Sequence, residues 1–153
     1  MQSTEADIAF ENGVTFHHLG YVVPSIERAA KGFARSLALD WDGKIIHDPL
    51  QQVRVSFFRP HRDSGPVIEL VEPSGSSSPV SRFLERGGGL HHLCYEVQCL
   101  EKQLAWSEKN GDLVIRTPVP AAAFYERRIA WIYTRSKMLV EYLERTRSTL
   151  NQL

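Results

Sequence analysis

Cysteine is almost absent: Cys94 and Cys99 are too few for a disulfide framework, and their spacing fits no zinc knuckle, so both read as ordinary thiols. An excess of charge of one sign is lacking too. The 18 Lys and Arg balance 18 Asp and Glu, which leaves no basic surface for nucleic acid and no polybasic anchor for a membrane. No apolar run approaches the roughly 20 residues that a membrane helix needs. Met1 to Glu11 is polar and acidic and lacks the apolar core of a signal peptide, which predicts a cytoplasmic protein. What is present, 153 residues of which 42% are hydrophobic, suffices for one compact domain.

The chain repeats itself. At an offset of 74 residues, His17-His18-Leu19-Gly20-Tyr21-Val22-Val23 falls on His91-His92-Leu93-Cys94-Tyr95-Glu96-Val97. The same register places Arg54-Val55-Ser56-Phe57 on Arg128-Ile129-Ala130-Trp131. Two residues then drop out, and Val67-Ile68-Glu69-Leu70-Val71-Glu72 aligns with Leu139-Val140-Glu141-Tyr142-Leu143-Glu144.

Each copy reads as β-α-β-β-β. The His-Leu-x-Tyr-x-Val runs are strand-like. A helix follows each: one starts near Pro24, with Ile26, Ala29, Ala30, Phe33 and Leu37 as its stripe, and the other carries Leu100 and Leu104 and stops at Asn110-Gly111. Further strands are expected over Val53–Phe58 and Pro66–Glu72 in the first copy, and over Ile129–Thr134 and Met138–Arg145 in the second. Asp40–Ile46 and Leu113–Thr117 are candidates for the remaining short strand of each copy. Pro73 to Ser78 is a turn-rich connector, after which Ser78 can cap a short helix with Pro79 in its first position, ending at Gly87-Gly88-Gly89. The expectation is an α+β fold in which two βαβββ modules form one cupped mixed sheet. It occupies residues 14–145 as a single domain, with modules at 14–73 and 88–145 and a Ser/Pro-rich linker at 74–87.

Side chains alternate along a strand, so one member of each His-His pair is expected to face the inside of the cup; the repeat alone does not choose which. Glu69 and Glu141 lie centrally in apolar strands, where an unpaired charge is costly. Two imidazoles and two carboxylates converging from matched strands suit one divalent ion, and a metal would satisfy all four. If Val53, Val55 and Phe57 face the helices, then Arg54 and its repeat partner Arg128 face the site, where their guanidinium forks could hold a carboxylate or phosphate of the substrate.

The set His18, Glu69, His92 and Glu141 on paired βαβββ modules resembles the vicinal oxygen chelate superfamily, which includes glyoxalase I, methylmalonyl-CoA epimerase, extradiol dioxygenases and antibiotic-resistance proteins. The resemblance covers about residues 16 to 145. It selects His18 and His92 over His17 and His91 as ligands of one divalent metal (Zn, Co, Ni, Fe or Mn). Ile68-Glu69-Leu70-Val71-Glu72-Pro73, Ser78-Pro79-Val80-Ser81-Arg82-Phe83-Leu84-Glu85 and Gly89-Leu90-His91-His92 look most like methylmalonyl-CoA epimerase. The resemblance implies a homodimer and a small-molecule substrate with vicinal oxygens, an acyl-CoA among the candidates. It implies an isomerase or epimerase moving a proton at carbon next to a carbonyl, with Glu141 as one catalytic carboxylate, and Glu69 is expected to serve as the other.

Three departures stand out. The epimerase's second proton-transferring glutamate falls on Leu50, leaving His47, Asp48 or Glu69 as substitutes. Its second metal ligand is usually glutamine where this chain has Glu69, so that the ligand set looks more like glyoxalase I. Its glycine-rich segments are replaced by Pro120-Ala121-Ala122-Ala123-Phe124-Tyr125 and Ser136-Lys137-Met138. A glyoxalase I-type lyase and a non-catalytic binding or resistance protein are therefore the alternatives.

Overall fold

The computed structural model describes residues 13–146; the polar stretch Met1–Glu11, on which the cytoplasmic expectation partly rests, lies outside the described residues. The first module runs β1 (Thr15–Val22), α1 (Ile26–Leu37), β2 (Leu39–Trp41), β3 (Ile46–Asp48), β4 (Val53–Pro60) and β5 (Val67–Pro73). A short helix, α2 (Ser81–Glu85), leads into the second: β6 (Gly89–Val97), α3 (Leu100–Lys109), β7 (Leu113–Pro120), β8 (Arg128–Tyr133) and β9 (Leu139–Glu144). All nine strands belong to one mixed, open sheet in the order β2-β4-β5-β1-β6-β9-β8-β7, with β3 pairing beside β2 on β4. No helix among the described residues is long and apolar enough to cross a membrane.

The expected short strand is continuous only in the second module. In the first it is broken into β2 and β3 around Asp42, Gly43 and Lys44, where Gly43 takes a φ of +78°. Helix α1 begins two residues beyond Pro24, because Ser25 holds the extended N-cap position and accepts from the Arg28 amide at 3.4 Å. The Glu72 carboxylate takes the Ile26 amide at 2.7 Å, tying the helix start to the end of β5. Helix α2 starts three residues past Ser78, since Ser78 to Ser81 close a turn through their backbones instead of a side-chain cap.

Helices α1 and α3 each cover the convex face of their own module. Ile26 and Ala30 of α1 pack with Phe58 and Leu70, and Leu100 and Leu104 of α3 pack with Ala130, Ile132, Val140 and Tyr142. The modules join where β1 runs antiparallel to β6, while β1·β5 and β6·β9 are parallel. In that junction His18 lies opposite Cys94 and His92 opposite Gly20, so the two histidine strands are related by a local twofold.

Candidate metal centre

The junction strands carry two irregularities that fix the site. The β1·β6 register slips between Phe16 and His18, and again between Gly20 and Tyr21 on the side facing Leu90 and His92. His17 and His91 are the extra residues, so each is a bulge that turns its side chain toward its neighbour. The expectation that one histidine of each pair faces inward is thereby corrected: His18 and His92 are buried in the centre, and His17 and His91 stand beside them. The Nδ1 atoms are 2.8 Å apart in the first pair and 2.9 Å in the second.

The structure brings His18, Glu69, His92 and Glu141 together, one ligating atom from each lying within 4.8 Å of all the others. His92 Nε2 is 3.2 Å from Glu141 Oε2 and 3.3 Å from both Glu69 Oε2 and His18 Nε2. His18 Nε2 is 3.3 Å from Glu69 Oε2 and 4.0 Å from Glu141 Oε2. Four donors about 2.1 Å from an ion stand roughly 3.4 Å from one another in a tetrahedron, so these spacings match the edges of a metal coordination shell. All four residues are at least 96% buried. Two buried carboxylates facing two imidazoles form a donor set with a surplus negative charge, which a divalent cation would neutralise.

The pKa shifts follow from this crowding. Burial pushes the Glu69 carboxyl up, but the charge and hydrogen bonds of His18 and His92 together outweigh it and hold the group below the usual carboxylate range. Burial likewise opposes charge on His92, and its hydrogen bonds to Glu141 and Glu69 overcome that, raising it to about 9. His91 moves the other way, to about 4, through burial and the charge of His92. Burial and the nearby Glu141 push the Cys94 thiol up, in keeping with an inert thiol.

Repeat-related aromatics wall the centre. Phe57 stands edge-on to His18 at 5.7 Å and Trp131 edge-on to His92 at 4.8 Å. Phe124, from the turn Ala122–Phe124, stacks on His18 and closes that side. The open side is a cavity of about 330 Å³ that contains Glu69, His91, His92 and Glu141. Its walls are mainly apolar, with Val53, Val55, Val71, Ile129 and Trp131 among them, and its other polar groups are Asp48, Gln51 and Arg116.

Arg54 and Arg128 are not in this cavity. Val53 and Val55 face it, which turns Arg54 to the convex face, where it bridges Glu72 at 3.0 Å and Glu27 at the start of α1. Arg128 does the same between Glu144 and Glu101 of α3, with contacts of 2.7 Å to each. Both faces of β4 are covered by apolar side chains, so alternation alone could not say which face holds the arginine. The reversed assignment follows from the acidic residues on the helices. Leu50 is half exposed and lines no part of the cavity, and His47 is turned to Ser74 at 3.0 Å. Asp48 is in the cavity wall and accepts from the amides of Gln51 and Ala122 at 3.0 Å each. Gln51 and Arg116 had no distinguishing sequence signal, whereas Trp131 falls on Phe57 in the repeat.

Residues 17–131 match the model of the Glyoxalase/Bleomycin resistance protein/Dioxygenase superfamily, and the chain belongs to that family. It is 36% identical over 135 residues to an uncharacterized Bacillus subtilis protein, YqjC, covering 83% of this chain and 89% of the relative. It is also 36% identical over 121 residues to the ethylmalonyl-CoA/methylmalonyl-CoA epimerase of Cereibacter sphaeroides, covering 78% and 87%. Among solved structures, methylmalonyl-CoA epimerase from Mycobacterium tuberculosis superposes with a TM-score of 0.74 at 22% identity, over 86% of this chain and 88% of the other, a likeness of fold.

Proposed function

We propose that this chain is a divalent-metal-dependent isomerase or epimerase that moves a proton at a carbon next to a carbonyl. The observation that carries the reading is the buried convergence of His18, Glu69, His92 and Glu141 at the base of a mostly apolar cavity. Those four residues would hold the ion, which supplies Lewis-acid polarisation of a carbonyl oxygen. A low-dielectric cavity strengthens every electrostatic contact made inside it.

Proton movement falls to carboxylates. Glu141 and Glu69 line the cavity, and Asp48 is the further carboxylate in its wall, whereas Leu50 lies outside it. One lone pair of each Asp48 oxygen is engaged by a backbone amide, which fixes the group without exhausting its capacity to accept a proton.

A groove lined by Arg86, Leu90, Tyr133, Lys137 and Met138 shares His91, His92 and Leu139 with the cavity. Apolar walls with two cations suit the tail of an acyl-CoA, the substrate class named for the Cereibacter sphaeroides relative. Glu69 in place of glutamine favours a second reading, a glyoxalase I-type lyase, which would use the same ligands and the same proton transfer.

Elemental analysis of the purified protein beside Glu141→Ala tests the metal. About one transition metal per chain, lost in the variant, is expected; no metal after reconstitution overturns the reading. Deuterium uptake from heavy water at the carbon next to the carbonyl of acyl-CoA and 2-oxo acid candidates then separates proton-transfer chemistry from simple binding.

A further inference from the structure

The cavity holds two hydrogen-bond donors that the protein itself leaves unused. Gln51 is 9% exposed, and its side-chain nitrogen is fully buried without a partner among the described residues. A buried donor without a partner costs roughly 1–3 kcal/mol, so its position in a cavity wall asks for an acceptor supplied from outside. Arg116 is the second. Unlike Arg54, Arg127, Arg128 and Arg145, each of which is paired with a glutamate, Arg116 has no carboxylate partner among the described residues and lines the cavity.

Arg116 owes its place to irregular backbone. The β7·β8 register slips on both sides of it, between Val114 and Arg116 and between Arg116 and Val119. It pairs with Trp131, whose partner on the other side is Glu141. Two interstrand spacings therefore separate Arg116 from Glu141, about 10 Å between backbones, a span that a ligand of a few carbon atoms can bridge between the guanidinium and the four-residue centre. The surrounding apolar walls leave a charged ligand group little water, which strengthens a carboxylate–guanidinium contact.

We propose that Gln51 and Arg116 read the outer oxygens of the ligand. The ligand is then an acid bearing a negatively charged group separate from the two oxygens that meet the four-residue centre. This rests on the metal reading above and adds a selection for charge that a thioester with two chelating oxygens alone does not need.

The test uses cobalt-loaded full-length protein, with the visible absorption of the ion reporting ligand binding. The probes are 2-hydroxyglutarate and 2-hydroxypentanoate, which share the chelating end and nearly the same shape and differ in the distal carboxylate. Wild type is expected to bind 2-hydroxyglutarate about tenfold more tightly, the equivalent of one charge-assisted hydrogen bond. Arg116→Met should abolish that preference with 2-hydroxypentanoate binding unchanged, and Arg116→Lys should retain part of it. Gln51→Leu should keep or raise the melting temperature of the free protein while reducing the rise that 2-hydroxyglutarate produces. Equal binding of the two acids by wild type, or unchanged preference in Arg116→Met, overturns the charge selection and leaves the metal centre standing. A Gln51→Leu protein that binds like wild type removes Gln51 from the proposal, and failure to take up cobalt overturns both readings.

Discussion

The Nδ1 atoms of His91 and His92 lie 2.9 Å apart, so one proton stands between the two rings. His92 directs Nε2 to Glu69 and Glu141, and a ligand nitrogen facing a metal must be unprotonated. With the ion bound, the shared proton belongs to His92 Nδ1, His91 accepts it, and the neutral His91 keeps its own hydrogen on Nε2. The same logic applies to His17 beside His18, at 2.8 Å. Nitrogen NMR of the zinc-loaded protein should show His17 and His91 as Nε2–H tautomers and His18 and His92 as Nδ1–H tautomers; a His91 Nδ1–H signal contradicts this. Replacing His91 by Phe removes the acceptor and should weaken metal binding by about 10–100-fold, the usual loss when a ligand's outer hydrogen bond goes.

Gly20 is small for a reason found across the strand. A Cβ built on it lands within the His92 ring, well inside van der Waals contact. Gly20→Ala should therefore push His92 off the centre, with loss of stoichiometric metal and a destabilisation of about 1–3 kcal/mol, as for overpacking elsewhere. The twofold-related position holds Cys94, fully buried opposite His18. Cys94→Ala should keep the metal. Elemental analysis and thermal melts of the two variants check the asymmetry; a metal-loaded Gly20→Ala protein rules it out.

Most of this centre is legible in the sequence because the repeat marks its residues twice. His18 with His92 and Glu69 with Glu141 occupy matched positions, and a carboxylate in an apolar strand is a signal in itself. The His-His pairs were misjudged because a bulge is a property of two paired strands: His17 and His91 become extra residues only once β1 lies against β6. Arg54 was misplaced for another reason. Alternation separates the faces of β4 without naming them, and Glu27 on α1, which settles the matter, is distant in sequence. Gln51 comes from a turn and Arg116 from a doubly slipped strand, where no periodicity applies.

Arg54 and Arg128 consequently serve the fold. Arg54→Met should leave ligand affinity and metal content unchanged while lowering the melting temperature by a few degrees, since the guanidinium ties β4 to β5 and to α1. A large rise in Kd for an acidic ligand, at unchanged stability, would instead return Arg54 to the site.

The metal-free protein should be less stable in mild alkali. His92 is raised from 6.5 to about 9 in the fold, so its contribution is complete below pH 6.5 and disappears as pH rises through about 9. Glu69, held below its ordinary value, contributes above about pH 4.5 and loses that contribution as acid protonates it. A bound cation replaces the His92 proton, so metal loading should flatten the fall between pH 6.5 and 9 and release a proton at neutral pH. Melting curves of the chelator-treated and zinc-loaded proteins across this window check the sign; equal slopes contradict it.

Asp48 offers the sharpest test of the chemistry. It is 3% exposed, lines the cavity and joins the modules through the Ala122 amide, so a structural role and a proton-transfer role are both open to it. An asparagine removes the base and keeps an acceptor for one of the two backbone amides, so its melting temperature is measured beside its activity. In an epimerase two groups serve opposite faces of the carbon, and losing one leaves the other able to exchange the proton it faces. Asp48→Asn should therefore lose epimerisation by at least about 100-fold, the usual scale for a general base. It should still wash solvent deuterium into one enantiomer of an accepted substrate. Loss of exchange in both enantiomers with an unchanged melting temperature would make Asp48 necessary for both proton transfers. Unchanged epimerisation would reduce Asp48 to the clasp between β3 and the Ala122–Phe124 turn.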